Sequence, residues 1–91
     1  MSKINTLYEK IVQERVNKSQ FEKIARQLGY SGASDFQSWF EGGDNDWIAL
    51  GEQLKEDMNF PRNKILQVFQ YINTTFWDDQ FSHSELNRYL P

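Results

Sequence analysis

The segment from Ser19 to Gly43, SQFEKIARQLGYSGASDFQSWFEGG, decides the fold that this sequence predicts. Ser19 and Glu22 stand three residues apart, the spacing at which each side chain can cap the other's backbone N–H at a helix start. The apolar residues that follow recur at helical spacing and are Phe21, Ile24, Ala25 and Leu28. Gly29 can then end the helix, because glycine adopts the left-handed conformation that closes many helices.

A second helix is predicted directly after this turn. Ser34 and Gln37 repeat the capping-box spacing, and the two glycines at 42–43 end the pattern. The apolar stripe of this helix consists of Phe36, Trp39 and Phe40. The segment is therefore a helix, a short turn and a second helix.

Residues 19–41 resemble the helix-turn-helix of AraC-type transcription regulators, most clearly in the stretch IARQLGYSGASDFQSWFE. The residues that match the family pattern are Ile24, Ala25, Gly29, Tyr30, Ser31, Ser34, Phe36 and Phe40. The resemblance implies a helix-turn-helix fold and a second helix placed for DNA recognition. This sequence has Ser38 and Glu41 at positions that are often basic in the family, and Asp35 on the same helix.

Helical spacing extends over the rest of the chain. Residues 3–17 carry an apolar stripe, centred on Ile11, that predicts a helix packed on the domain or on a second copy of the chain. We expect Ile11 to share one core with the stripes of residues 19–43 and with Phe69. Asp44 or Asp46 can cap a following helix that carries Gly51 on its apolar side, where the missing side chain predicts a close helix crossing. A further helix, with Phe69 on its apolar stripe, is predicted from Pro61 to about Thr74. Trp77 is predicted to lie in a loop before the last helix.

Ser82 and Glu85 form a capping-box signature for that last helix, from His83 to about Leu90. The sequence thus predicts an all-α fold: one domain spanning residues 1–91, built as a small bundle of five or six short helices that contains a helix-turn-helix-like unit.

Composition narrows the class of protein. The 91 residues contain no cysteine, which excludes a disulfide scaffold and a thiolate metal site. No apolar run approaches the ~18 residues of a membrane helix, and no secretory signal is present, so a cytoplasmic protein without a membrane partner is expected.

Residues suited to catalysis are sparse. His83 is the single imidazole, and its neighbours Ser82 and Ser84 point away from it on a helix start, so they form no nucleophile–base pair. The pair Asp44 and Asp46 opens like a calcium loop but lacks the later ligands. We therefore expect no enzyme activity, no cofactor and no metal.

Charge divides along the chain, although the net charge is −3. Residues 1–26 carry six basic and three acidic side chains, whereas residues 35–57 carry seven acidic and one basic. Such asymmetry orients encounters with charged partners. The leading hypothesis is a small regulatory or adaptor protein that binds another protein through the acidic region 35–57. A phage or mobile-element modulator would suit this size and composition.

The candidate protein-binding residues are Asp35, Trp39, Glu41, Asp44, Asp46 and Trp47, with either tryptophan as the anchor. The alternative is a helix-turn-helix DNA-binding transcription regulator that acts as a dimer. It would use one or both of two helix-turn-helix units, at residues 19–41 and 46–74, and the polar side of the helix after Pro61 is the better equipped. Its candidate DNA-binding residues are Arg62, Asn63, Lys64, Gln67 and Gln70. The oligomeric state and the identity of the partner are left open by the sequence.

Overall fold

The computed structural model describes residues 15–91, and within them the fold is all-α. Five helices follow one another: α1 (Lys18–Gln27), α2 (Ala33–Trp39), α3 (Asp44–Glu56), α4 (Arg62–Trp77) and α5 (His83–Arg88). Helix α1 packs on α2, and α4 packs on both α3 and α5. The predicted all-α bundle with a helix-turn-helix-like unit is confirmed.

The turn between α1 and α2 has the geometry predicted at Gly29, which adopts a φ of 103°. The Gly29 N–H donates to the carbonyl of Arg26 at 3.1 Å, and the Tyr30 N–H donates to that of Ala25 at 3.0 Å. These two bonds form a Schellman motif, which satisfies carbonyls that the end of a helix leaves unpaired. The turn therefore ends α1 sharply and aims the chain toward α2.

Most helix starts differ from the predicted ones. Asn17, not Ser19, caps α1, since its Oδ1 accepts from the Gln20 N–H at 2.9 Å. Residues 15–17 are not helical, and the rest of the predicted helix at 3–17 lies outside the described residues. At α2, the N-cap is Gly32 rather than Ser34. At α3 the N-cap is Gly43, so Asp44 and Asp46 lie in the first turn.

Later boundaries are closer to prediction. Helix α4 runs to Trp77, so placing Trp77 in a loop was wrong, and Asp78 ends the helix in the left-handed conformation. Helix α5 has the predicted capping box between Ser82 and Glu85 and ends two residues early, at Arg88.

The core is aromatic and continuous across the described helices. Phe21, Phe36, Phe40 and Phe69 are buried in one cluster, as the apolar stripes predict. The Phe36 ring centroid lies 5.3 Å from that of Phe21 and 5.2 Å from that of Phe40, so Phe36 packs α2 against α1 and against the residue that ends α2. Of the remaining predicted core residues, Ile24 is buried, Leu28 is half-buried against the cluster and Ile11 lies outside the described residues.

Candidate protein-binding surface

Helix α2 presents Asp35 and Trp39 on one side, because residues four apart on a helix are neighbours. Phe36, between them in sequence, is fully buried and holds the helix on the core. Trp39 remains 42% exposed at the carboxyl end of α2, and its ring centroid lies 5.7 Å from that of Tyr30. The core contacts of α2 therefore hold a large aromatic side chain in a fixed, solvent-facing position.

Two carboxylates beside this aromatic pair are oriented by backbone N–H groups. Asp35 Oδ2 accepts from the Ser31 N–H at 2.9 Å, and Asp46 Oδ2 accepts from the Glu41 N–H at 2.8 Å. Each bond uses one carboxylate oxygen and fixes the side chain without neutralising its charge. The second bond also ties the start of α3 to the segment that follows α2.

The pKa of the Tyr30 phenol is raised by its surroundings. Burial raises the pKa of Tyr30 above its ordinary value, and the negative charges of Asp35 and Asp46 raise it further. Negative charges nearby disfavour ionisation of the phenol, which explains the direction of their effect on its pKa. We call the resulting patch, formed by Tyr30, Asp35, Trp39, Glu41 and Asp46, the Trp39 surface.

No basic side chain neutralises the Trp39 surface within residues 15–91. The one ion pair in that range joins Arg26 Nη2 to Glu22 Oε2 at 3.9 Å, and Glu22 lies on α1. Helix α2 has an acidic residue in its first turn and no basic residue in its last. Within residues 15–91 the carboxylates of the surface therefore form no ion pair, and the Arg26 guanidinium beside them donates to the Ser31 carbonyl oxygen at 3.4 Å.

Trp47 is not part of this surface, and its candidacy as an anchor was wrong. Its side chain is 0% exposed, and its ring centroid lies 4.8 Å from that of Phe40 and 5.1 Å from that of Phe69. Trp47 lies on the same helical stripe as Leu50 and Leu54, both fully buried. The stripe of α3 places the indole in the core.

Asp44 is also separated from the Trp39 surface. It lies two residues before Asp46 on α3, and two helical residues are about 200° apart around the axis, so they lie on opposite flanks. Asp44 Oδ1 accepts from the Tyr89 hydroxyl at 2.5 Å, which joins α3 to the chain after α5. This hydrogen bond is the main cause that raises the pKa of Tyr89.

The candidate DNA-binding residues of α4 do not share one wet face. Lys64 is 1% exposed, which contradicts its placement on the polar side. Its Nζ donates to Gln20 Oε1 of α1 at 3.2 Å and lies 5.9 Å from the centre of the Phe60 ring. The long aliphatic stem of lysine lets it fill an interface between helices while its ammonium group keeps polar contacts.

The other four residues are divided between several environments. Arg62 Nη1 donates to the Pro91 carbonyl oxygen at 3.3 Å, and Asn63 is exposed. Gln67 and Gln70 are half-buried and line a groove of about 820 Å³. The structure therefore does not bring these five side chains together as a groove-reading set.

Sequence reasoning missed Tyr30 as a member of the surface. The sequence placed Tyr30 in the turn between the two helices. A signal was available, because an aromatic residue in that turn directly precedes a helix face that carries Asp35 and Trp39. The contribution of Asp46 depended on the path of the chain between α2 and α3, which has no periodic pattern.

Comparisons of the chain with protein-family models, with curated proteins and with solved structures find no match. Among residues 15–91, no helix combines the length and hydrophobicity needed to cross a bilayer. Within the same residues, no three His, Cys, Asp or Glu side chains are grouped so that they could hold a metal ion.

Proposed function

We propose that this protein is a small non-enzymatic regulatory or adaptor protein that acts by binding another protein through the Trp39 surface. The observation that carries the proposal is the 42% exposure of Trp39 on a helix that the fully buried Phe36 holds against the core. Tryptophan is among the residues most enriched at the energetic centres of protein interfaces. An exposed indole that the core holds in place loses little conformational freedom on binding.

The acidic rim supports the same function. Asp35 precedes Trp39 by one helical turn, Glu41 follows it by two residues, and Asp46 accepts from the Glu41 N–H; none of these carboxylates forms an ion pair within residues 15–91. Charged residues at the rim of an interface accelerate association and select the partner's charge, while a central aromatic residue supplies much of the affinity.

The alternative, DNA binding through α4 or the helix-turn-helix, receives less support from the same structure. Phosphate contacts need accessible Lys and Arg side chains. The buried Lys64 leaves Arg62 as the basic residue of α4 that solvent can reach, and α2 presents Asp35 instead of a cation.

Photo-cross-linking tests the proposal with a matched control in the same chain. A photoreactive phenylalanine analogue replaces Trp39 in one variant and Ile48 in another, since both native side chains are 42% exposed. Ile48 lies two residues after Asp46 on α3, and therefore on the opposite flank of the helix. After irradiation in a lysate of the organism that encodes the protein, we expect a discrete cross-linked protein from position 39 and none from position 48.

Competition links the cross-link to Trp39. Unlabelled wild-type protein should suppress the product, the Trp39→Ala variant should fail to suppress it, and Ile48→Ala should compete as wild type. Circular dichroism must show that each variant is folded. Equal products from both positions, or full competition by Trp39→Ala, would contradict the proposal.

A further inference from the structure

Building on the proposed function, we infer that the Trp39 surface receives an arginine side chain from a basic segment of the partner protein. The rings of Tyr30 and Trp39 lie side by side, Asp35 precedes Trp39 by one helical turn, and the Asp46 carboxylate accepts from the Glu41 N–H two residues after Trp39. A guanidinium group is planar, so it can stack on an aromatic ring while its edge donates hydrogen bonds to a carboxylate. The surface offers both kinds of contact side by side.

Charge complementarity identifies the occupant. The three carboxylates of the surface, on Asp35, Glu41 and Asp46, have no cation partner within residues 15–91. An acidic or purely apolar partner would desolvate these charges without compensation, which is costly. A basic partner instead converts them into charge-assisted hydrogen bonds.

The carboxylates are already oriented before any partner binds. Backbone N–H groups of Ser31 and Glu41 hold Oδ2 of Asp35 and of Asp46, respectively. Within residues 15–91, Oδ1 of each aspartate has no protein hydrogen-bond partner. Groups that are fixed in advance give up less entropy on binding, so the free oxygens are suited to accept N–H groups from the partner.

Arginine is favoured over lysine because of the two aromatic rings. The ring centroids of Tyr30 and Trp39 are 5.7 Å apart and the ring planes are inclined by 36°, so the two rings form one extended aromatic patch. A lysine ammonium is a compact, strongly hydrated charge, whereas guanidinium is more weakly hydrated and stacks on aromatic faces. The difference in affinity between the two cations is therefore the property to measure.

The probes are three short peptides in which glycine alternates with arginine, with lysine or with citrulline, the neutral isostere of arginine. Binding is followed by the indole N–H resonance of Trp39 in two-dimensional NMR, assigned by its loss in Trp39→Phe. We expect the arginine peptide to shift this resonance, to bind about fivefold more tightly than the lysine peptide, and the citrulline peptide to leave it unshifted.

A charge-matched pair of variants separates the site from the overall charge. Asp35→Asn with Asp46→Asn should raise the Kd for the arginine peptide by about tenfold. Glu52→Gln with Asp57→Asn removes the same charge at two exposed residues outside the surface, and should change the Kd by less than about twofold. Equal effects of the two double variants, or equal affinity for arginine and lysine peptides, would overturn the inference.

Two further outcomes separate this inference from the proposed function. In the first, position 39 cross-links a partner whose capture is unaffected by Asp35→Asn with Asp46→Asn. In that outcome the proposed protein-binding function stands, and the inference that the surface receives an arginine side chain is wrong. If the wild-type protein alone self-associates as its concentration rises, measured by sedimentation, and Trp39→Ala abolishes this, the surface contacts a second copy of the chain. The inference of a basic partner segment is then overturned.

Discussion

At the scale of single residues, Gly51 shows how a weak helix former stabilises a fold. It is buried within α3, where glycine costs about 1 kcal/mol relative to alanine by intrinsic propensity. A Cβ at this position would lie 3.1 Å from a Phe69 ring carbon, 3.1 Å from Pro91 Cδ and 3.3 Å from the Tyr89 carbonyl oxygen. The absence of a side chain lets α4 and the segment after α5 approach the helix closely, as the apolar-side position of the glycine predicts.

Gly51→Ala should therefore lower the free energy of unfolding. Overpacking of about 1–3 kcal/mol opposes a gain in propensity of about 1 kcal/mol, so we expect a net loss of about 1 kcal/mol. Urea unfolding measures it, and Ala49→Gly at an exposed position of the same helix gives the propensity term alone. A gain in stability for Gly51→Ala would mean that the neighbouring groups move aside freely.

Tyr89 gives the fold a dependence on alkaline pH. The hydrogen bond to Asp44 raises the pKa of Tyr89, so the folded chain holds the phenolic proton more tightly than the unfolded chain. The stabilisation is complete below the ordinary tyrosine pKa of about 10 and is lost as the pH rises through the folded value.

In wild-type protein, the free energy of unfolding should fall more steeply between about pH 9 and pH 12 than in Tyr89→Phe. Denaturant titrations at fixed ionic strength measure both slopes, and titration of lysines contributes to both proteins alike. Tyr30→Phe serves as a second comparison, because burial and two carboxylates raise the pKa of Tyr30 in the same direction. Identical slopes for wild type and Tyr89→Phe would show that the Asp44 contact does not form in solution.

At the scale of helices, polar side chains set how neighbouring elements are joined. Asn73 of α4 is 4% exposed; its Nδ2 donates to the Phe81 carbonyl at 2.8 Å, and its Oδ1 accepts from the Phe81 N–H at 3.0 Å. One side chain thus satisfies both backbone groups of a residue in the loop before α5. Helical periodicity does not predict this role, because it depends on the loop before α5 bringing Phe81 next to Asn73.

Asn73→Ala should destabilise the protein by about 1–3 kcal/mol, since it leaves the donor and the acceptor of Phe81 unpaired in a part-buried site. Thr74→Ala is the matched control on the next residue, where an exposed hydroxyl donates to Asp79 Oδ1 at 2.7 Å. That control should cost less than about 1 kcal/mol. Equal losses for the two variants would assign no special role to the Asn73 bridge.

Helix starts illustrate what local sequence signals cannot resolve. The spacing of Ser19 and Glu22 fits a capping box, yet Asn17 caps α1, and the helix begins one residue before Ser19. Glu22 instead reaches to α2, where its Oε1 accepts from the Ala33 N–H at 3.2 Å. Because several polar residues near a helix start can serve as a cap, tertiary contacts decide between them.

At the scale of the whole molecule, periodic patterns predicted the fold better than the surface. The stripes identified the helices and much of their shared core, since burial follows a spacing that the sequence displays. The same reasoning could place Asp35 beside Trp39, but Asp46 and Tyr30 join them through turns that have no period. Trp47 is the clearest example. Its position on the apolar stripe of α3 predicted burial, and it is buried, although it had been a candidate for an exposed anchor.

The distribution of charge over the molecule yields the prediction that separates the two functions. Residues 35–57 carry seven acidic side chains and one basic, and Lys64 of α4 is buried. We therefore expect labelled random duplex DNA to show no sub-micromolar binding at low salt, measured by fluorescence anisotropy. Association with a protein partner should instead slow when Asp35 and Glu41 are neutralised, and slow for wild type as salt is added.

Arg62 supplies the discriminating variant, because it is the accessible basic residue of α4 and its guanidinium donates to Pro91. If the protein bound DNA, Arg62→Ala would weaken binding and flatten its salt dependence, while Asp35→Asn with Glu41→Gln would strengthen it by removing charges that repel phosphates. For a protein partner bound at the Trp39 surface, the two changes have the opposite importance. Asp35→Asn with Glu41→Gln should slow association with the partner, and Arg62→Ala should leave the association rate unchanged. Sub-micromolar duplex binding that disappears with added salt, and again without Arg62, would replace the proposed function with DNA recognition.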